Sequence, residues 1–188
     1  MREHRHPGPT IEEERATTVE SVSRRLRHRI PWLGIGLLGA MLSAWMVGAA
    51  EDELSKTVAV AFFLPAVVYM ADAVGTQTEV LAVRGLAVGV PIREIIGKEL
   101  VTGFLIGLCV SVAFFPFCAL VFGDLRLAIA VSVALLVSAT LASVVALVLP
   151  WFLDFLGKDP AFGSGPISTV IQDLLSIAVY LVLASLIV

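Results

Sequence analysis

Residues 125–149 read LRLAIAVSVALLVSATLASVVALVL, a run whose one charge, Arg126, stands at its edge. About 20 apolar residues in a helix cross roughly 30 Å of hydrocarbon. A helix this apolar on every side has no favourable contact with water, so the run reads as a membrane span. Working outward, the turn Gly123-Asp124 separates it from a second apolar run over about 99–122. Three more follow the same pattern, over about 32–50, 57–79 and 161 or 166 to 188. The expected fold class is therefore all-α and integral to a membrane, with five transmembrane helices per protomer.

Composition agrees. The chain has 188 residues, 58% hydrophobic and 15% charged, with a mean hydropathy of +0.94. A soluble domain is nearer half apolar and a quarter charged, so the polar surface needed to face water is missing. Cys109 and Cys118 lie nine positions apart in one run and cannot bridge to each other, so they read as packing thiols. The first apolar run is too long for the core of a cleavable leader and no soluble chain follows it.

Residues 1–28 read as a polar cytosolic tail and residues 29–188 as the membrane domain. In the tail, His4 and His6 have no carboxylate or thiol at metal-binding spacing and read as solvated. Arg24, Arg25, Arg27 and Arg29, followed by Pro31 and Trp32, suit anionic headgroups and the membrane interface, with Pro31 in the first turn of a helix. With the N-terminus inside, eleven of the thirteen Lys and Arg fall on inner segments, and only Lys56 and Arg126 fall outside. This bias orients a multi-pass protein of the cell membrane with a cytoplasmic N-terminus and an external C-terminus. Glu51-Asp52-Glu53 then forms a small external acidic loop.

The informative residues are those foreign to hydrocarbon. Asp173 lies inside the last span and shares a helical face with Thr169, Ser176 and Tyr180. In the second span Asp72, Thr76 and Glu79 recur at i, i+4 and i+7, with Pro65 upstream able to free a backbone carbonyl. An aspartate at mid-bilayer costs about 2.5–3.5 kcal/mol on insertion scales, so both stripes should face protein interior or water. Neither span holds a Lys or Arg to neutralise them, which leaves a cation as the economical partner. Carboxylate, hydroxyl and carbonyl oxygens without Cys or His suit Mg2+, Ca2+ or Mn2+ rather than zinc or copper. Gly103 and Gly107 form a GxxxG pair, a motif of close helix contact that does not by itself choose between packing inside a protomer and a dimer face.

Three blocks carry a resemblance. The first is Ala61-Phe62-Phe63-Leu64-Pro65, then Gly75-Thr76-Gln77-Thr78 and Val83-Arg84-Gly85-Leu86-Ala87. Another is Arg29-Ile30-Pro31-Trp32-Leu33, and the last runs through Asp159-Pro160-Ala161, Ser164-Gly165-Pro166, Thr169, Asp173 and Tyr180. In order and spacing they resemble the membrane domain of MgtE-type magnesium transporters, relatives of the eukaryotic solute-carrier magnesium transporters. The resemblance implies a symmetric homodimer in the lipid bilayer, a pore at or beside the two-fold axis, and Asp173 holding hydrated Mg2+. Asp173, Asp72, Thr76, Thr169 and Glu79 are thus the expected metal-facing residues, with Mg2+ as cargo and Mn2+, Ca2+ or Co2+ as competitors. Where the family commonly reads Gly-Gly-Asn-Ala-Gly-Thr-Gln, this chain reads Ala71-Asp72-Ala73-Val74-Gly75-Thr76-Gln77, which adds a carboxylate at 72. Family members commonly carry a large cytosolic Mg2+-sensing region; here about 28 residues precede the resemblance, so if the chain is complete such gating is expected to be absent unless a separate regulatory subunit supplies it.

Other readings use the same residues differently. A Na+- or H+-coupled Mg2+ exchanger would use Asp72 and Glu79 as coupling sites. A non-transporting assembly subunit would use the acids only to hold helices together. An intramembrane aspartyl protease would pair Asp72 with Asp173 as an acid–base dyad, but Gln172 precedes Asp173 where a glycine-rich turn is expected. The chain therefore reads as a transporter rather than an enzyme, with no nucleic-acid partner.

Overall fold

Each long helix outruns its apolar run at one end. The computed structural model describes residue 19, residues 21–158 and residues 160–188. His4, His6, most of the polar tail and Asp159 lie outside the described residues. The long helices are α1 (Val22–Ala49), α3 (Val58–Ala87), α4 (Ile92–Phe122), α5 (Leu125–Phe155) and α6 (Pro160–Ile187), with a short α2 (Glu51–Lys56) between the first two. All five long helices contain a stretch apolar enough to cross a membrane. At 1.5 Å per residue the 30 residues of α3 extend about 45 Å, so its ends pass beyond the hydrocarbon.

Two expectations change as a result. The acidic segment at 51–53 is helical rather than an irregular loop. Pro31 lies inside α1 rather than in its first turn, because the helix starts at Val22 and takes in the arginine cluster. The carbonyl its ring leaves unpaired is that of Arg27, near the helix end where water can reach it.

The connections follow from local chemistry. Gly123 takes a left-handed φ of 68° at the end of α4. The Asp124 side chain then accepts hydrogen bonds from the backbone of Arg126 (2.8 Å) and Leu127 (3.1 Å), capping α5.

Helix α5 is the hub, packed against α3, α4 and α6, while α1 leans chiefly on α6. Half of the apolar stretch of α5 is buried, against 6% for α1. Its buried residues include Ala130, Ala134, Ala139, Ala142 and Ala146 with Ser138 and Ser143, small side chains that let neighbouring backbones approach. The GxxxG pair is used within the protomer: a Cβ on Gly107 would come 3.2 Å from Ala139, and one on Gly103 would run into Ser143.

The end of the bundle that carries the α4–α5 turn is dry. Val60, Phe63, Val67, Cys118, Leu127, Val131 and Tyr180 form its core. Phe63 sets its ring edge against Phe114 and Phe122, at centroid distances of 5.8 and 4.7 Å. This apolar cluster fills one half of the bundle, and Asp72, Thr76, Glu79 and Thr169 lie toward the other.

Candidate cation pathway

Asp72 stands 14 residues from the start of α3 and 15 from its end; Asp173 stands 13 and 14 residues from the ends of α6. Both acids therefore sit at the midpoint of a membrane helix. The two helices pack together, and Asp173 follows Thr169 by four residues, one turn further along α6. Thr169 donates its hydroxyl to Asp72 Oδ1 at 3.3 Å, so α3 and α6 are tied at this depth by a polar contact. Asp72 and Asp173 are half-buried, while Thr76, Gln77 and Thr169 are exposed on the protomer surface.

The line continues toward one end of the helix pair. Thr76 follows Asp72 by one turn and Glu79 by two. Glu79 is half-buried, with Oε1 4.0 Å from the place where a Cβ on Gly165 of α6 would sit. Asp72, Thr76, Thr169 and Glu79 thus lie along one seam with Asp173, with oxygen atoms from mid-helix toward one end. Among the described residues no three His, Cys, Asp or Glu side chains gather into a ready-made metal cage. One protomer offers a seam with two carboxylates and hydroxyls at its centre, a set suited to holding water around an ion.

Ser176 and Tyr180 take the first of the two settings expected for their stripe, the protein interior. They are 1% and 0% exposed, turned into the helix contacts rather than toward the seam. The Tyr180 hydroxyl donates to the Val60 carbonyl at 2.7 Å. Val60 lies five residues before Pro65, which removes the amide that the Ala61 carbonyl would use. The face of α6 that is open at Thr169 is covered by the first turns of α3 at Tyr180. The acidic residues Glu51 and Asp52 lie in α2, exposed and away from the seam.

A second polar row was missed in the sequence. Ser164, Ser168, Gln172, Ser176 and Tyr180 recur every fourth residue and are all 2% exposed or less. They form the ridge by which α6 packs into the bundle. The repeat was available as a signal, but small hydroxyl residues in a membrane helix also suit a wet face, and spacing does not separate the two.

The sequence matches the MgtE divalent cation transporter family over residues 64–183. It is 31% identical over 162 residues to the magnesium transporter MgtE of Bacillus subtilis, covering 84% of this chain and 36% of that protein. The protein of the same name from Enterococcus faecalis is 29% identical over 183 residues, covering 95% of this chain and 40% of the relative. That from Thermus thermophilus is 31% identical over 165 residues, covering 84% and 36%. The chain spans two-fifths or less of the length of these relatives. With five helices among the described residues long and apolar enough to cross a membrane, and a match that takes in Asp72 and Asp173, this chain belongs to the MgtE family of divalent cation transporters.

Proposed function

We propose that this chain conducts Mg2+ across the cell membrane as a hydrated ion, along the seam between α3 and α6. The observation that carries the reading is the pair of carboxylates at two helix midpoints, with Thr169 of α6 bonded to Asp72 of α3 at that depth, on helices without a Lys or Arg between Val58 and Val83 or between 160 and 188. A negative charge at that depth needs a counterion, and a cation in transit supplies one. Ca2+ takes six to eight oxygen ligands, whereas Mg2+ keeps several of its waters and is held through one or two carboxylates. Asp173 and Asp72 are the principal contacts. Thr169 and Thr76 bond ion-held water, and Glu79 receives the ion toward the helix end.

The working unit in this reading is a homodimer. Thr76, Gln77 and Thr169 are exposed near mid-helix, where lipid offers polar groups no partner. A second copy packed on that face covers them. Two-fold symmetry then brings two Asp72 and two Asp173 around one axis. Residues 29–188 form the transport domain, with the N-terminus in the cytoplasm and the C-terminus outside, as the placement of eleven basic residues on inner segments favours.

The test is uptake into proteoliposomes that hold a Mg2+-sensitive dye. Wild-type protein should take up Mg2+ according to its gradient and the membrane potential, and Asp173→Asn should not. Wild-type flux in Asp173→Asn would contradict the assignment. Uptake that instead demands an imposed Na+ or pH gradient would convert the reading into a coupled exchanger.

A further inference from the structure

Between α3 and α6, next to the carboxylate pair, lies a buried side chain to which the pathway assigns no role. Gln172 is 2% exposed. Its Nε2 donates to Ser168 Oγ, and its Oε1 has no hydrogen-bond partner. A Cβ built on Gly75 would collide with Oε1, Cδ and Nε2 alike, so the amide fills the place of the missing side chain whichever way it is turned. Although the amide is the flexible end of its residue, its enclosure leaves it little room to step aside. An unpartnered polar atom in a dry helix contact is unfavourable, and a purely apolar side chain would fill the notch without it.

The position of this contact suggests its use. Gln172 follows Thr169 by three residues and immediately precedes Asp173; Gly75 follows Asp72 by three. The amide in its notch is therefore the packed contact next to the Thr169–Asp72 hydrogen bond. Ridge-into-groove packing of the buried row on α6 allows discrete registers rather than a continuous slide. We propose that Gln172 is a positioning residue: seated over Gly75, it selects the register of α6 on α3 and so sets the spacing of Asp72, Thr169 and Asp173 that determines how tightly the cation is held. The proposal rests on the transport reading above.

A double-mutant cycle tests it, with initial Mg2+ uptake into proteoliposomes followed against Mg2+ concentration for wild type, Gly75→Ala, Gln172→Ala and the pair. Gly75→Ala should raise the half-saturating concentration about three- to tenfold, within the range of coupling between touching residues, while maximal flux per folded protein changes little. The pair should return toward wild type, because the new methyl occupies the volume that the amide vacates. A contact that only supports folding would instead lower the yield of folded protein and leave half-saturation unmoved. That result, or single effects that simply add, would overturn the proposal. Should Gly75→Ala fail to fold, Gln172→Ala alone must still shift half-saturation, and an unshifted value overturns the proposal. Asp173→Asn is run alongside: retained flux there removes the transport reading itself, whereas lost flux there with unmoved half-saturation in the Gly75 and Gln172 set removes only this inference.

Discussion

A carboxylate at the middle of a membrane helix costs about 2.5–3.5 kcal/mol on insertion scales, and this chain carries two on adjacent helices. Asp173→Asn keeps the volume and removes the charge. Mg2+ flux should fall by at least about tenfold, equivalent to 1.4 kcal/mol of ion stabilisation, while the protein stays helical and monodisperse. Flux assays beside circular dichroism and size exclusion check both halves of that expectation. Tyr180 is a contrasting residue, because its hydroxyl is engaged by the Val60 carbonyl. Tyr180→Phe should lower stability by about 0.6 kcal/mol, typical of a side-chain hydrogen bond between membrane helices, and leave half-saturating Mg2+ unchanged. Unfolding in denaturing detergent and the flux assay read the two effects. In the sequence, Thr169 four residues before Asp173 and Tyr180 seven after it share one helical face with it. Only the packing around α6 separates a buried hydroxyl from an exposed one.

At the level of elements, helix ends and helix contacts obey different chemistry. The Gly123-Asp124 turn was legible in the sequence because its signals are local: a residue tolerant of positive φ, then a carboxylate that accepts two backbone amides. Asp124→Ala should destabilise the start of α5 by about 1 kcal/mol, visible as faster amide exchange at Arg126 and Leu127. The GxxxG pair was legible as a close contact, but its partner was not. It meets Ser143, Ala139 and Leu136 of the hub helix inside the protomer. Gly107→Leu should therefore cost about 1–3 kcal/mol through overpacking between α4 and α5. Detergent unfolding would show it. Dissociation of a dimer with unchanged protomer stability would place that motif at a subunit boundary instead.

For the whole molecule, the exposed polar strip on α3 and α6 is the feature a bilayer does not accommodate. Thr76, Gln77 and Thr169 are exposed on the protomer, whereas Leu120 on α4 is 85% exposed with no polar neighbour required. If a second copy covers the strip, Thr76→Cys in a background of Cys109→Ser and Cys118→Ser should form a disulfide-linked dimer in membranes under mild oxidation. Leu120→Cys in the same background should remain monomeric on non-reducing gels. Equal crosslinking at both positions would show random collision and count against a dimer on this face.

The sequence by itself determined the number of spans and the presence of mid-helix acids, because partition into a bilayer depends on each segment's own hydropathy and the backbone must satisfy its hydrogen bonds within that segment. Tertiary structure alone decided that α5 is the hub, that the GxxxG pair closes on it, that Gln172 seats over Gly75, and that Ser176 and Tyr180 are dry while Thr169 is exposed. Those outcomes depend on which small residues of distant segments meet and at what crossing. Lipid is as apolar as the side chains it surrounds, so hydrophobicity along one helix does not specify which face will find protein.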